Sequence, residues 1–138
     1  MYAFQNARTE MRFFRARIAL ARAADGESRY VSRAQADAAR LEREDAAWAS
    51  ALARLVRASV SATSGRRHEA AAQLDVAERA LRDAGMMHYA AAAQYRRGQL
   101  LGNDEGRAAM AVAAGFFKEQ GVVHLERITS LLAPGSWV

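Results

Sequence analysis

Apolar residues recur every three or four positions along nearly the whole chain, and glycines interrupt this helical spacing. Such spacing is typical of amphipathic helices, and glycine favours the left-handed conformation at which many helices end. The sequence therefore predicts an all-α fold of six helices and a short seventh. Their expected bounds are 2–24, 28–44, 46–63, 66–84, 87–101, 104–120 and 123–132.

The second and third predicted helices are separated by neither glycine nor proline. They could form one long helix, but the charged stretch 42–45 favours a corner, with Asp45 as the N-cap of the third helix. Ser28 is the expected N-cap of the second helix, and Asn103 or Asp104 that of the sixth.

Composition supports this fold class. The 138 residues include 34 alanines and one proline, whereas valine, isoleucine and threonine together number 13. Alanine is the strongest helix former, and the branched residues favour strands.

The length suits a single domain over residues 1–138. Because the sequence has neither a long apolar run nor a recognisable secretory signal, we expect a cytoplasmic protein without a membrane partner.

The fourth and sixth predicted helices repeat one pattern at an offset of 36 residues, and the second helix repeats it less regularly at an offset near 40. The matched positions are Ala70, Leu74, Ala77 and Leu81 in one helix and Gly106, Met110, Ala113 and Phe117 in the other. Repeats of this length with two helices each predict antiparallel helix pairs, stacked as a short tetratricopeptide-like solenoid. Its units would span 1–44, 45–85 and 86–121, followed by a terminal helix over 123–132. An irregular helical bundle is the alternative.

The most specific pattern lies near the end of the chain, in the stretches QLLGNDEGR (99–107), EQGV (119–122) and ERITSLLAPG (126–135). These stretches resemble the C-terminal, tetratricopeptide-like part of large bacterial serine/threonine protein kinases and related multidomain regulatory ATPases. The resemblance implies a helical regulatory tail with a role in signalling. The sequence has no glycine-rich loop with its lysine, no His-Arg-Asp loop and no Asp-Phe-Gly, so the resemblance transfers no catalytic residue.

The sequence also lacks other motifs for catalysis, cofactors and metals. It has no cysteine and no phosphate-binding glycine loop, and its three histidines lie in different predicted helices without ligand spacing. The adjacent carboxylates at 44–45 and 104–105 begin predicted helices, where negative charge is favourable. We therefore expect a non-catalytic protein that needs neither a cofactor nor a metal.

Helical solenoids bind partners along the surface that the first helices of the pairs form, here helices one, three and five. Arginine and tyrosine contribute most to such interfaces. The candidate partner-binding residues are accordingly Arg12, Arg15, Arg54, Arg57, Tyr89, Tyr95, Arg96 and Arg97. Arg96 and Arg97 suit a carboxylate, so the expected partner is a protein or peptide with acidic residues. Alternatively, several of these arginines only solvate an arginine-rich surface.

The net charge of +5 is concentrated in the first helix, because residues 1–24 carry +4 and residues 25–138 carry +1. A basic helix can bind nucleic acid. Its aromatic residues do not interleave with the arginines as a base-stacking surface requires, so a protein partner is favoured over nucleic acid. Self-association without a separate ligand is the other alternative.

The first helix is apolar on two sides. One apolar face, which we expect to enter the core, consists of Phe4, Met11, Phe14 and Ile18. Phe13 and Leu20 form the second face. Because a single neighbouring helix covers one face only, Phe13 and Leu20 are predicted to contact a second copy, giving a homodimer, or an upstream part of a longer protein.

Overall fold

The computed structural model describes the backbone of residues 2–137 and the side chains of residues 7–137. Within that range the regular structure is entirely helical, which confirms the predicted all-α class. The helices are α1 (Tyr2–Ala24), α2 (Arg29–Glu42), α3 (Ala47–Thr63), α4 (Arg67–Asp83), α5 (Met87–Leu101), α6 (Asp104–Glu119) and α7 (Leu125–Leu132). Each bound lies within two residues of the expected one.

Successive helices from α1 to α6 pack against each other, and α1 also contacts α3. Because short turns join them, successive helices run antiparallel and form the pairs α1–α2, α3–α4 and α5–α6. α3 is enclosed on nearly all sides and is the central helix of the stack. α7 returns to pack on α5. This arrangement is that of a small, solenoid-like helical bundle.

The corner between α2 and α3 is present, as the charged stretch predicts, but its cap is not Asp45. Ala46 occupies the N-cap position in an extended conformation and makes no capping side-chain bond. The corner is held instead by Arg57, which donates to both carboxylate oxygens of Glu42 at 2.9 and 3.0 Å. Ser28 stands at the N-cap of α2 without a capping hydrogen bond.

α5 and α6 approach each other very closely at two glycines. A Cβ atom on Gly98 would lie 2.5 Å from the Gly106 carbonyl oxygen, and one on Gly106 would lie 2.5 Å from the Gly98 carbonyl oxygen. Between them, Gly102 ends α5 with a φ of +64°, and Asn103 caps α6 by accepting a hydrogen bond from the Gly106 N–H at 2.9 Å. Glycine at every fourth position thus permits close packing and a tight turn.

The repeat positions of the second helices lie in the core. In α4 the enclosed apolar residues are Ala70, Leu74, Ala77 and Leu81. In α6 the matched positions Gly106, Ala113 and Phe117 are buried, and Met110 is partly buried. The buried residues of α2 are Ala34, Asp37, Ala38 and Leu41. They lie 40 positions before buried residues of α4, so the looser offset marks equivalent places in the two helices.

The two apolar faces of α1 are exchanged relative to the expectation from sequence. Phe13 and Leu20 are only 4% and 1% exposed and belong to the core, so their predicted role in an outside contact is wrong. Met11, Phe14 and Ile18, expected in the core, are 64%, 52% and 45% exposed. The side chain of Phe4, predicted on the same face, lies outside the described residues.

The reason for the exchange lies in the small residues that accompany Phe13 and Leu20. Ala16, Ala19 and Ala23 lie on the buried side of α1 and are almost fully enclosed. Small side chains allow neighbouring helices to approach the α1 backbone closely, and two large residues then fill the remaining space. The opposite side combines Met11, Phe14 and Ile18 and is too bulky for such an approach.

Candidate interaction surface

The first helices of the pairs, α1, α3 and α5, share a surface that we call the inner face. Near the beginnings of α3 and α5 this face contains a depression of about 560 Å³, which we call the open groove. Its main lining residues are Phe13, Phe14, Arg17, Trp48, Leu52 and Tyr89. All three first helices therefore contribute to one concave site.

Aromatic side chains dominate the open groove. Phe13 of α1 and Tyr89 of α5 meet edge to face, with their ring centroids 5.5 Å apart and their planes at 74°. This contact joins the first and third helix pairs directly. Trp48, at the beginning of α3, is partly buried beside them. Aromatic rings offer a large, rigid apolar area at little conformational entropy, which suits the binding of a polypeptide.

Arg17 lies at the edge of the open groove. Its guanidinium carbon is 5.1 Å from the centroid of the Phe13 ring and 5.7 Å from that of Phe14. The same guanidinium donates a hydrogen bond to the Leu131 carbonyl oxygen at 3.0 Å. Arg17 therefore marks the boundary between the open groove and the part of the inner face that the end of the chain covers.

Residues 131–137, which we call the C-terminal segment, contact another part of the inner face. All three first helices hold its main chain. Besides Arg17 of α1, Arg96 of α5 donates to the Ala133 carbonyl oxygen at 3.0 Å, and the Ser136 N–H donates to Thr63 Oγ1 of α3 at 3.2 Å. The inner face thus binds the end of α7 and the irregular stretch after it through side-chain hydrogen bonds to the backbone.

Two candidate partner-binding residues, Tyr95 and Arg96, lie inside the protein. The Arg96 guanidinium also donates to Gln99 Oε1 at 2.8 Å and lies 5.6 Å from the Trp137 ring centroid. Burial lowers the pKa of Arg96 to about 10, so the group is charged at neutral pH. Neither side chain is accessible to a partner, which corrects the prediction. Tyr95 is a core residue, and Arg96 anchors the C-terminal segment.

Arg12 and Arg15 of α1 are paired within the chain. Arg12 donates to the Glu44 carboxylate, and Arg15 donates to Asp37 Oδ1 at 2.9 Å. Both bonds tie α1 to α2 or to the turn after it. Arg15 is still 57% exposed at its side chain and can contact an additional group.

Arg57 and Arg97 likewise join helices. The hydrogen bonds from Arg57 lower the pKa of Glu42 despite its partial desolvation. Arg97 lies 3.3 Å from the Glu78 carboxylate of α4 and 3.8 Å from Glu105 of α6, with its side chain mostly buried. Arg54, on the outer side of α3, is exposed. The eight candidates are therefore not brought together: Tyr89 alone lines the open groove.

A basic cluster that the sequence prediction missed surrounds Tyr30 at the start of α2. The guanidinium carbons of Arg22, Arg29 and Arg33 lie 5.3, 5.1 and 5.1 Å from the Tyr30 ring centroid. The spacing of residues 29, 30 and 33 within one helical turn could have indicated part of this cluster. The contribution of Arg22 depends on the packing of α1 against α2, which a local pattern does not reveal.

Comparison with protein-family models, with curated proteins and with solved structures finds no match to this chain. Among the described residues, no group of histidine and carboxylate side chains is placed to hold a metal ion. No helix within residues 2–137 is long and apolar enough to span a bilayer. The inner face and the exposed side of α1 are thus the features from which a function can be inferred.

Proposed function

We propose that this protein is a non-catalytic interaction module that binds a segment of another protein in the open groove. The observation that carries the proposal is the unequal occupation of the inner face. The C-terminal segment fills one part, whereas the aromatic part around Trp48 and Tyr89 is open. Exposed concave aromatic surfaces of this kind commonly bind apolar anchors of a partner chain.

The C-terminal segment illustrates the chemistry that such a partner would use. Its backbone is bound by side chains from α1, α3 and α5, and its Trp137 ring is 2% exposed. A partner segment with one or two large apolar side chains could bind the open groove in the same way. Its apolar side chains would contact Trp48 and Tyr89, and Arg17 could contact an acidic or carbonyl group beside them.

The resemblance of residues 99–135 supports a more specific role. We propose that the module serves bacterial signalling as the helical tail of a serine/threonine kinase or a multidomain regulatory ATPase. In such a protein the tail would bring a partner to a catalytic domain elsewhere in the polypeptide. A kinase or ATPase domain encoded in the same reading frame would support this role, and a reading frame without one would contradict it.

The groove proposal is tested by selecting short peptides from a random-sequence library on the immobilised protein. We expect enriched peptides to share bulky apolar residues and to lose affinity for Trp48→Ala and Tyr89→Ala. Val112→Ala, at an exposed site on α6, is the matched control and should keep full affinity. Enrichment of no peptide, or of peptides that bind both groove variants normally, would contradict the proposal.

A further inference from the structure

The exposed side of α1 carries a regular apolar row that no other part of the described chain covers. Its members, which we call the α1 seam, are Ala7, Met11, Phe14, Ile18 and Ala21. The three large ones are 45–64% exposed. Their spacing of four, three, four and three residues is that of the apolar positions in a coiled coil. The row is therefore shaped to receive one further helix.

A row of arginines runs beside the α1 seam. Arg8, Arg15 and Arg22 are spaced seven residues apart, so they occupy the same flanking position in successive heptads. Their side chains are 62%, 57% and 52% exposed. In helix pairs, charges at this position determine which partner is accepted. The other flank carries Glu10 and Arg17.

The carboxylates nearby are too few to neutralise the arginine row. Glu44 is shared by Arg8 and Arg12, Asp37 by Arg15 and Arg40, and Glu27 by Arg22 and Arg29. Six arginines thus share three carboxylates in these ion pairs. Arg33, which stacks on Tyr30, adds a further positive charge with no ion pair among the described residues. Additional carboxylates from a partner would be attracted to this region.

The same charges disfavour a second copy of the chain as the partner. In an antiparallel pair of α1 helices, the arginine row would face its own copy. In a parallel pair, Arg22 would face Arg17, and only Glu10 and Arg15 would attract each other. Like charges at these positions oppose association. The α1 seam therefore fits a helix of different sequence.

We propose that the α1 seam binds an amphipathic helix of a partner protein, with acidic residues flanking its apolar row. The apolar row of that helix would cover Met11, Phe14 and Ile18, and its carboxylates would bind Arg8, Arg15 and Arg22. This site overlaps the open groove at Ala7, Met11 and Phe14, and the flanking residues Glu10 and Arg17 also line the groove. Ile18 and the arginine row lie outside the groove lining.

The probe for this proposal is a designed helical peptide with leucines at its apolar positions and glutamates at the flanking positions. A matched peptide carries lysines in place of the glutamates. We expect the glutamate peptide to bind at least about tenfold more tightly than the lysine peptide. Fluorescence anisotropy of the labelled peptides measures both affinities. Equal affinities would overturn the proposal.

Variants identify the surface that binds the peptide. Ile18→Glu should lower the affinity for the glutamate peptide at least about tenfold, whereas Val112→Glu on α6 should leave it unchanged. Both sites are exposed, so circular dichroism should show the same helix content for both proteins. Arg8→Glu with Arg22→Glu should reverse the preference towards the lysine peptide. Unchanged binding to Ile18→Glu or an unreversed preference would overturn the proposal.

Three further measurements separate this site from its alternatives. Trp48→Ala and Tyr89→Ala should leave the glutamate peptide bound, because they alter only the open groove. The groove experiment could therefore fail while the glutamate peptide still binds the α1 seam. Equally, the glutamate peptide could fail to bind while the groove still binds library peptides. If a DNA duplex bound in a salt-sensitive way and competed with the glutamate peptide, the proposal would be overturned in favour of nucleic acid. A dimer that Ile18→Glu dissociates would overturn it in favour of self-association.

Discussion

The ring of Phe13 in α1 meets the ring of Tyr89 in α5 edge to face, at 5.5 Å between centroids. Residues 76 positions apart are thereby joined at the base of the open groove, and the contact links the first and third helix pairs. Such an aromatic pair contributes about 0.5–1.5 kcal/mol beyond the burial of its area. The contact therefore serves both the stability of the fold and the shape of the groove.

Phe13→Ala should lower the free energy of unfolding by about 3–5 kcal/mol, because it removes a buried ring and its partner contact. The adjacent Phe14→Ala is the control. Phe14 is 52% exposed, so its removal should change stability by less than about 1 kcal/mol. Urea denaturation monitored by circular dichroism measures both values. Equal losses for the two variants would show that the faces of α1 are assigned incorrectly.

Two glycine-to-alanine variants should change stability in opposite directions. Gly98→Ala forces a Cβ against the Gly106 carbonyl and the Met110 side chain, and should destabilise the protein despite the better helix propensity of alanine. Gly115 lies in α6 with no atom within 4 Å of a Cβ placed on it. Gly115→Ala should therefore stabilise the protein by about 0.5–1 kcal/mol. Thermal denaturation measures both effects. If both substitutions stabilised the protein, the close α5–α6 crossing would be refuted.

Arg96→Ala should release the C-terminal segment. The substitution removes the hydrogen bond to the Ala133 carbonyl and the stacking on Trp137, so we expect a loss of about 2–4 kcal/mol. In a Trp48→Phe background, Trp137 fluorescence should shift to longer wavelength as the ring becomes hydrated.

The control for this variant is Arg79→Ala, which removes an exposed pair with Asp75 on one helix. It should change stability by less than about 0.5 kcal/mol and leave the spectrum unchanged. An Arg96→Ala protein with the stability and emission of the parent would mean that the segment is held by other contacts.

Local patterns were sufficient to predict the helices of this chain. Helical periodicity, glycine turns and the charged corner at 42–45 depend on neighbouring residues, so the class and the bounds followed from sequence. The assignment of the two faces of α1 did not. Both faces are apolar and periodic, and large residues such as Met11 suggested the wrong one. The buried face is selected by small residues such as Ala16, whose importance appears only when α2 and α3 pack.

The candidate site was predicted less well, because residue type does not reveal what a side chain contacts. Of the eight candidates, Tyr89 lines the open groove, but Phe13 was assigned to an outside contact and Trp48 was not among the candidates. Arginine is a residue type that often binds partners, but Arg96 makes its contacts inside the protein. Its partners, Ala133 and Trp137, are about 40 residues away in the chain, and long-range contacts of this kind leave no local signal.

The most direct test of the binding proposal uses the two tryptophan indole N–H groups. Trp48 lies in the open groove, whereas Trp137 belongs to the C-terminal segment, where its indole N–H donates to the Ala133 carbonyl at 3.0 Å. In ¹H–¹⁵N spectra recorded during titration with a library-selected peptide, the Trp48 indole resonance should shift progressively while that of Trp137 stays in place. An unmoved Trp48 resonance at saturating peptide would contradict the claim that the open groove is the binding site.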